Sequence, residues 1–203
     1  MRGLIAKKIP SKPRYEYAKR IARKTLLLNN ITSLPVDIDA IFKNNNILFF
    51  LETQAEKIAK QDLPVEFKRN QDIHAITQKR IVDGKSTYVS IIKDRGRVRG
   101  NIRFSKAHEL GHIFLKHFEI FDLPSSLNIN LSHEYWVLER EAEVFAAELL
   151  APTTILRLCN CYDKKAIKAL CDLSDEASEY AIGDIWRDYN VRERERIALE
   201  CQF

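Results

Sequence analysis

Apolar residues fall at three- and four-residue intervals through most of this chain and gather into short runs only between residues 47 and 93. Ala18, Ile21, Ala22, Thr25 and Leu28 give a helix over Tyr15 to Leu28, ended by Asn29-Asn30. Leu34-Pro35-Val36-Asp37 reads as a turn whose aspartate caps a short helix to about Asn44. Ile47 to Glu52, His74 to Thr77 and Thr87 to Lys93 read as strands, the last two flanking an Asp83-Gly84 turn, so the sheet is small. Arg95 to Arg103 reads as a solvated connection. Phe104, Ala107, His108, Gly111, Phe114, Leu115 and Phe118 then stripe a helix with Ser105 placed to cap it. A loop to Leu131 follows, and Ser132 is placed to cap a second strong helix, His133 to Leu150, with Val137, Leu138, Ala142, Phe145, Ala146, Leu149 and Leu150 on one face and Pro152 as its stop. Shorter helices are expected over Thr153 to Leu158, Lys164 to Cys171 and Ser174 to Arg187, before a charged tail.

Chemistry enters where the first of the two strong helices carries His108-Glu109-Leu110-Gly111-His112. Residues four apart share a helix face, so both imidazoles can reach one ion while Glu109 stands beside it as a general base. Gly111 costs roughly 1 kcal/mol against alanine in a helix, which predicts a close neighbour at its backbone. A catalytic zinc takes three protein ligands and keeps one position open. His117 is one residue out of register for the third, about 100 degrees round a continuous helix. Among Glu139, Glu141 and Glu143, Glu139 shares its face with the apolar Ala142, Ala146 and Leu150, and a carboxylate there needs a cation, so Glu139 is the expected ligand. Glu143 is expected to hold the outer nitrogen of a ligand histidine, and Glu141 and Glu148 to be surface charges. His133, Tyr135 and Tyr88 are candidates for an oxyanion donor, and His74 is expected to stand near a strand start, away from the motif.

The 203 residues and 45% hydrophobic content suffice for one domain with a sizeable core. No apolar run is long enough to cross a membrane, and four cysteines without a loop-rich setting point to free thiols in the cytoplasm. The net charge of +5 is uneven: residues 1 to 30 hold nine Lys or Arg against Glu16, so this arm is +8 and the remainder −3. A solvated helix face is the favoured reading of the arm, ahead of direct DNA binding.

Arg103 to His112 and Glu139 to Pro152 together resemble the ImmA/IrrE family of zinc metallopeptidases, with Leu34-Pro35-Val36-Asp37 as a weaker third match. The resemblance covers roughly Tyr15 to Arg187. It departs from the family at Glu143, where Asn or Asp is usual, and at Lys106 and Ala151, which replace apolar residues. It implies an α+β, minimal zincin-like fold in which a small twisted sheet packs on the motif helix. Residues 1–152 would be the peptidase domain, with an N-terminal helix, and 153–203 a C-terminal helical cap of helix-turn-helix-like form. Zn2+ would be held by His108, His112 and Glu139, with Glu109 catalytic. The implied activity is limited cutting of a helix-turn-helix, phage-repressor-like regulator, docked with its extended segment along an edge strand such as Thr87 to Lys93. The rival reading is a non-proteolytic regulator-binding or toxin–antitoxin component with a metal site.

Overall fold

The computed structural model describes residues 8–54, 73–82, 84–121, 133–187 and 193–203. Its elements in order are α1 (Tyr15–Leu28), α2 (Ile38–Asn44), β1 (Leu48–Leu51), β2 (Ala75–Val82), β3 (Lys85–Ile92), α3 (Arg99–Phe114), α4 (His117–Ile120), α5 (His133–Leu150), α6 (Thr153–Leu158), α7 (Lys164–Cys171), α8 (Asp175–Arg187) and α9 (Glu193–Gln202). This is the expected α+β arrangement, a small sheet among helices. Local chemistry accounts for several boundaries. The Asp37 carboxylate accepts from Ala40 N at 3.0 Å, and the Asp163 carboxylate caps α7 by accepting from Ala166 N at 2.9 Å. Gly84 supplies the φ of +75° that closes the β2–β3 hairpin. Asp83, Ser132 and the loop expected before Leu131 lie outside the described residues.

The sheet order is β1-β3-β2, with β1 parallel and β2 antiparallel to β3. The strand over Thr87 to Lys93 is therefore the centre of the sheet and cannot be the edge that receives a substrate; β2 is an edge among the described residues. One sheet face carries Phe49, Thr77, Tyr88 and Ser90 toward α2 and α3, while Ile73, Ile76, Ile91 and Phe50 gather on the other. On its far side α3 packs against α5, which packs in turn against α1. Where they meet, the main core joins Ala18, Ala22 and Leu26 of α1, Ala107 and Leu110 of α3, and Phe145, Ala146 and Leu149 of α5. Leu156, Ile185 and Leu199 of the C-terminal helices belong to the same core.

Helix α3 differs from expectation at both ends. It begins at Arg99 behind Val98, with no side-chain cap, and Ser105 is buried in its interior, where its hydroxyl accepts from Arg97 at 3.1 Å. Two of the arginines read as a solvated connection are thus internal fasteners, Arg97 donating also to the Lys93 carbonyl and Arg103 to that of Val36, while Arg95 and Arg99 are exposed as expected. Gly100 lies where a Cβ would be 2.7 Å from Ser174 N, so only glycine lets the first turn of α3 meet the α7–α8 corner. At the other end α3 stops at Phe114, because Lys116 adopts φ 60° and turns the chain into α4.

Part of the charge on the N-terminal arm is spent internally, while Lys8, Lys12 and Lys24 stay exposed as expected. Arg23, 2% exposed, bonds Glu148 and Glu195, each at 3.2 Å, and Lys19 approaches Asp184 at 3.9 Å. Glu148 is itself buried and also accepts from Thr153. The tail docks: Gln202 donates to the carbonyls of Leu26 and Ile31. No described helix is long and apolar enough to cross a membrane.

Candidate metal centre

Two helices and one strand meet around a cleft of about 260 Å³. It is lined by Phe104, His108, Glu109 and His112 of α3, Glu139 and Glu143 of α5, and Ala75 to Thr77 of β2 with His74 just before it. His74 stands just before a strand as expected, and it shares the cleft with the motif because β2 runs alongside α3. Helical spacing places His108 and His112 one turn apart with their Nε2 atoms 3.0 Å from each other. Glu139 Oε2 lies 3.1 Å from His108 Nε2, and Glu139 Oε1 3.4 Å from His112 Nε2. Ligands about 2.0 to 2.1 Å from a tetrahedral ion stand roughly 3.3 Å apart, so these three side chains have the spacing and the donor chemistry to hold one.

The charges within the cluster are strongly coupled. Burial works against the charge of Glu139, but the imidazoles of His112 and His108 outweigh it and hold the carboxyl down at about 2. Burial also opposes a charge on His108, yet its bond to Glu139 and the surrounding carboxylates lift it to about 9. His112, deeper, is pushed well below the usual histidine range by burial and stays neutral. Glu109 is 6% exposed; burial raises it to about 7, against the charge of His108 and a hydrogen bond from the Thr77 hydroxyl. Thr77 Oγ1 is in turn 2.6 Å from Ser90 Oγ, so the two buried strand hydroxyls brace the glutamate from the sheet.

Gly111 allows the helix pair to close. A Cβ there would stand 3.1 Å from both the Cα and the carbonyl oxygen of Ala142, so the glycine meets the close neighbour its presence in a helix predicted. Because α3 and α5 supply the two halves of the cluster, their approach sets how near Glu139 comes to the histidines.

Behind the cluster the structure departs furthest from expectation. Glu141 is fully buried, not a surface charge: Arg14 donates to it from its backbone N, Nε and Nη2 at 2.8, 2.8 and 2.7 Å. Burial disfavours its charge, and the bonds from Arg14 and His117 more than compensate, leaving it at about 2. His117 is fully buried as well, with Nε2 3.2 Å from Glu141 Oε2 and Nδ1 3.0 Å from His112 Nδ1. The continuous-helix projection put His117 off the metal face, and it stands outside the group of His108, His112 and Glu139; the left-handed Lys116 breaks the helix and folds His117 beneath His112 instead. Glu143, expected to hold a ligand histidine, lines the cleft but bonds Arg140 at 2.6 Å. Of the oxyanion candidates, Tyr88 bonds Glu119, neither Tyr88 nor Tyr135 lines the cleft, and the side chain of His133 lies outside the described residues.

Sequence reasoning missed Thr77, His117 and Arg14. A threonine in a strand next to the motif carried a weak signal through side-chain alternation; the positive φ at a lysine carried none. A family model described as Peptidase_M78, IrrE N-terminal-like domain, matches residues 75–181, from β2 into α8. No curated protein matches the chain.

Proposed function

The chain belongs to the Peptidase_M78 family, a family of metallopeptidases, and from that membership we propose that it is a zinc metalloendopeptidase making limited cuts in a helix-turn-helix regulator in the cytoplasm. The observation that carries the enzymatic reading is the convergence of His108, His112 and Glu139 beside the buried Glu109, at the floor of a cleft flanked by an edge strand. His108 and His112 through Nε2, and Glu139 through its carboxylate, would hold the ion. Bound zinc supplies Lewis acidity, polarising a carbonyl and lowering the pKa of a water toward about 7.

The remaining steps belong to the protein. Glu109, oriented by Thr77, removes a proton from the water that attacks the peptide carbonyl carbon, and the same proton passes to the leaving amine as the C–N bond breaks. Substrate alignment follows from the strand register. Lys93 N donates to the His74 carbonyl at 2.9 Å, so 74 and 93 form a directly bonded pair. By alternation Ile76, Gln78 and Arg80 turn their backbone groups to β3, and Ala75, Thr77, Lys79 and Ile81 turn theirs to the open edge. An extended substrate segment added there would pass its carbonyl over the cluster.

The regulator as substrate rests on the family resemblance, and β2, an edge among the described residues and a lining of the cleft, suits an extended segment of it. The test is to incubate zinc-loaded protein with helix-turn-helix regulators of the same genome and, separately, with unfolded casein, mapping fragments by mass spectrometry. Discrete cuts in one regulator are expected. Efficient casein digestion with the regulators intact would overturn the selectivity, and regulator binding without any cut at full zinc occupancy would favour the binding-module reading.

A further inference from the structure

A continuous hydrogen-bonded chain runs from the half-buried Arg14 through the buried Glu141 and His117 to His112. Between neutral rings its hydrogen bonds can be made in only one sense. Glu141 is a carboxylate saturated by Arg14 and accepts only, so the His117 nitrogen facing it, Nε2, must carry the hydrogen. A neutral imidazole has one N–H, which leaves His117 Nδ1 bare, able to accept and not donate. The nitrogen opposite it, His112 Nδ1, must therefore be the donor. That assignment strips the hydrogen from His112 Nε2, the atom 3.0 Å from His108 Nε2 and 3.4 Å from Glu139 Oε1. The lone pair is thus aimed at the place where an ion would sit, before any ion arrives.

We propose that Glu141 and His117 are positioning residues that set the tautomer of His112, so that an ion pair on the far side of α5 prepares one ligand of the metal site. The inference rests on the reading of His112 as a metal ligand. General experience with metal sites is that the outer nitrogen of a ligand histidine is held by a carboxylate, a carbonyl or water. Here a second imidazole is interposed, which carries the carboxylate's influence one ring further and lets it be fixed by a residue preceding α1. Both interposed side chains are fully buried, so water does not compete for either bond.

Substitution by an isosteric amide exposes the relay. Glu141 Oε1 receives two donors from Arg14, whereas Oε2 receives one from Arg14 and the His117 ring. In Glu141→Gln the amide oxygen accordingly takes the Oε1 place, keeping two bonds from Arg14, and the NH2 group faces His117 with loss of the single Arg14 Nη2 bond. His117 Nε2 then becomes the acceptor, its hydrogen moves to Nδ1, and His112 must carry its own on Nε2, where it blocks the ion.

The experiment uses the full chain, metal-free and 15N-labelled at histidine, at neutral pH. Long-range 1H–15N correlation reads which ring nitrogen is protonated, with assignments from the signals lost in His112→Gln and His117→Gln. The expected spectrum has His112 protonated at Nδ1 and His117 at Nε2. In Glu141→Gln both should reverse, and zinc affinity measured by chelator competition should fall by about 10- to 100-fold. A wild-type His112 protonated at Nε2 would overturn the proposal, whether or not the variant folds. So would Glu141→Gln with both tautomers unchanged, or with both reversed and zinc affinity intact. Neither readout depends on peptidase activity. Zinc that leaves the His112 Nε2 signal unmoved would instead overturn the metal-ligand reading itself.

Discussion

Glu109 shows how burial and bracing divide labour within one residue. Its carboxylate stands beside the histidine cluster but is bonded from the sheet by Thr77, so a change of its charge leaves the donor atoms of His108, His112 and Glu139 in place. Glu109→Gln is therefore expected to keep one equivalent of zinc on dialysis while hydrolysis falls by about 10²- to 10⁴-fold; loss of the metal from that variant would make Glu109 a ligand. Glu139→Ala should do the reverse and release the metal, checked by elemental analysis of the dialysed protein. The four thiols separate by environment in the same manner. Burial pushes Cys171 up to about 12, whereas Cys159 and Cys201 are exposed. In the folded protein a thiol reagent at mildly alkaline pH should modify Cys159 and Cys201 and reach Cys171 only after denaturant is added. At this scale the sequence was legible where spacing alone decides: one helical turn brings the two histidines together and puts Glu139 on the opposite side of its helix from Glu141. It was illegible where a partner distant along the chain decides. A glutamate among charged neighbours reads as surface until Arg14, 127 residues away, is seen donating three bonds to it.

Between elements, the approach of α3 to α5 governs whether the two halves of the cluster meet. Alanine at Gly111 would gain roughly 1 kcal/mol of helix propensity, but its Cβ would press on the backbone of Ala142, which cannot swing aside as a side chain would. Overpacking of this kind costs typically 1 to 3 kcal/mol, so Gly111→Ala should be destabilised in urea and should also bind zinc more weakly, because Glu139 is carried outward with α5. Unchanged zinc affinity would mean that α5 does not move as a unit. The boundaries of α1, α2, α6 and α7 follow from apolar spacing, an aspartate cap or a proline, all local signals. Those of α3 do not. Its first turn is secured by Gly100 against the α7–α8 corner and by Arg97 and Arg103 on distant carbonyls, and its last by a lysine in a conformation usually given to glycine or asparagine.

Across the whole molecule, Arg23 joins α1 to α5 through Glu148 and to α9 through Glu195, next to a core to which Leu26 and Leu199 both contribute. Removing one partner of a buried ion pair costs about 3 to 5 kcal/mol, so Arg23→Ala should lower the urea midpoint by a corresponding amount, more than an exposed arginine such as Arg196. The largest-scale consequence concerns the sheet edge. Composition and periodicity gave three strands but not their order, since short apolar runs do not say which pairs with which; the hairpin places β3 in the middle and leaves β2 beside the cleft. Proline substitution tests that placement with a change of one backbone donor. Lys79 turns its N–H to the open edge, so Lys79→Pro removes no bond to β3, and proline is tolerated in edge strands for that reason. The ring and the missing donor should nevertheless hinder a substrate strand pairing there. Loss of one hydrogen bond, about 0.5 to 1.5 kcal/mol, corresponds to a rise in KM of roughly two- to tenfold for an extended substrate, with zinc content and folding unchanged. Gln78→Pro, whose N–H faces β3, should instead unfold the hairpin and lower thermal stability. If Lys79→Pro cleaves an extended substrate with the wild-type KM while keeping its structure, the substrate does not lie on β2 and must enter the cleft from the α5 side.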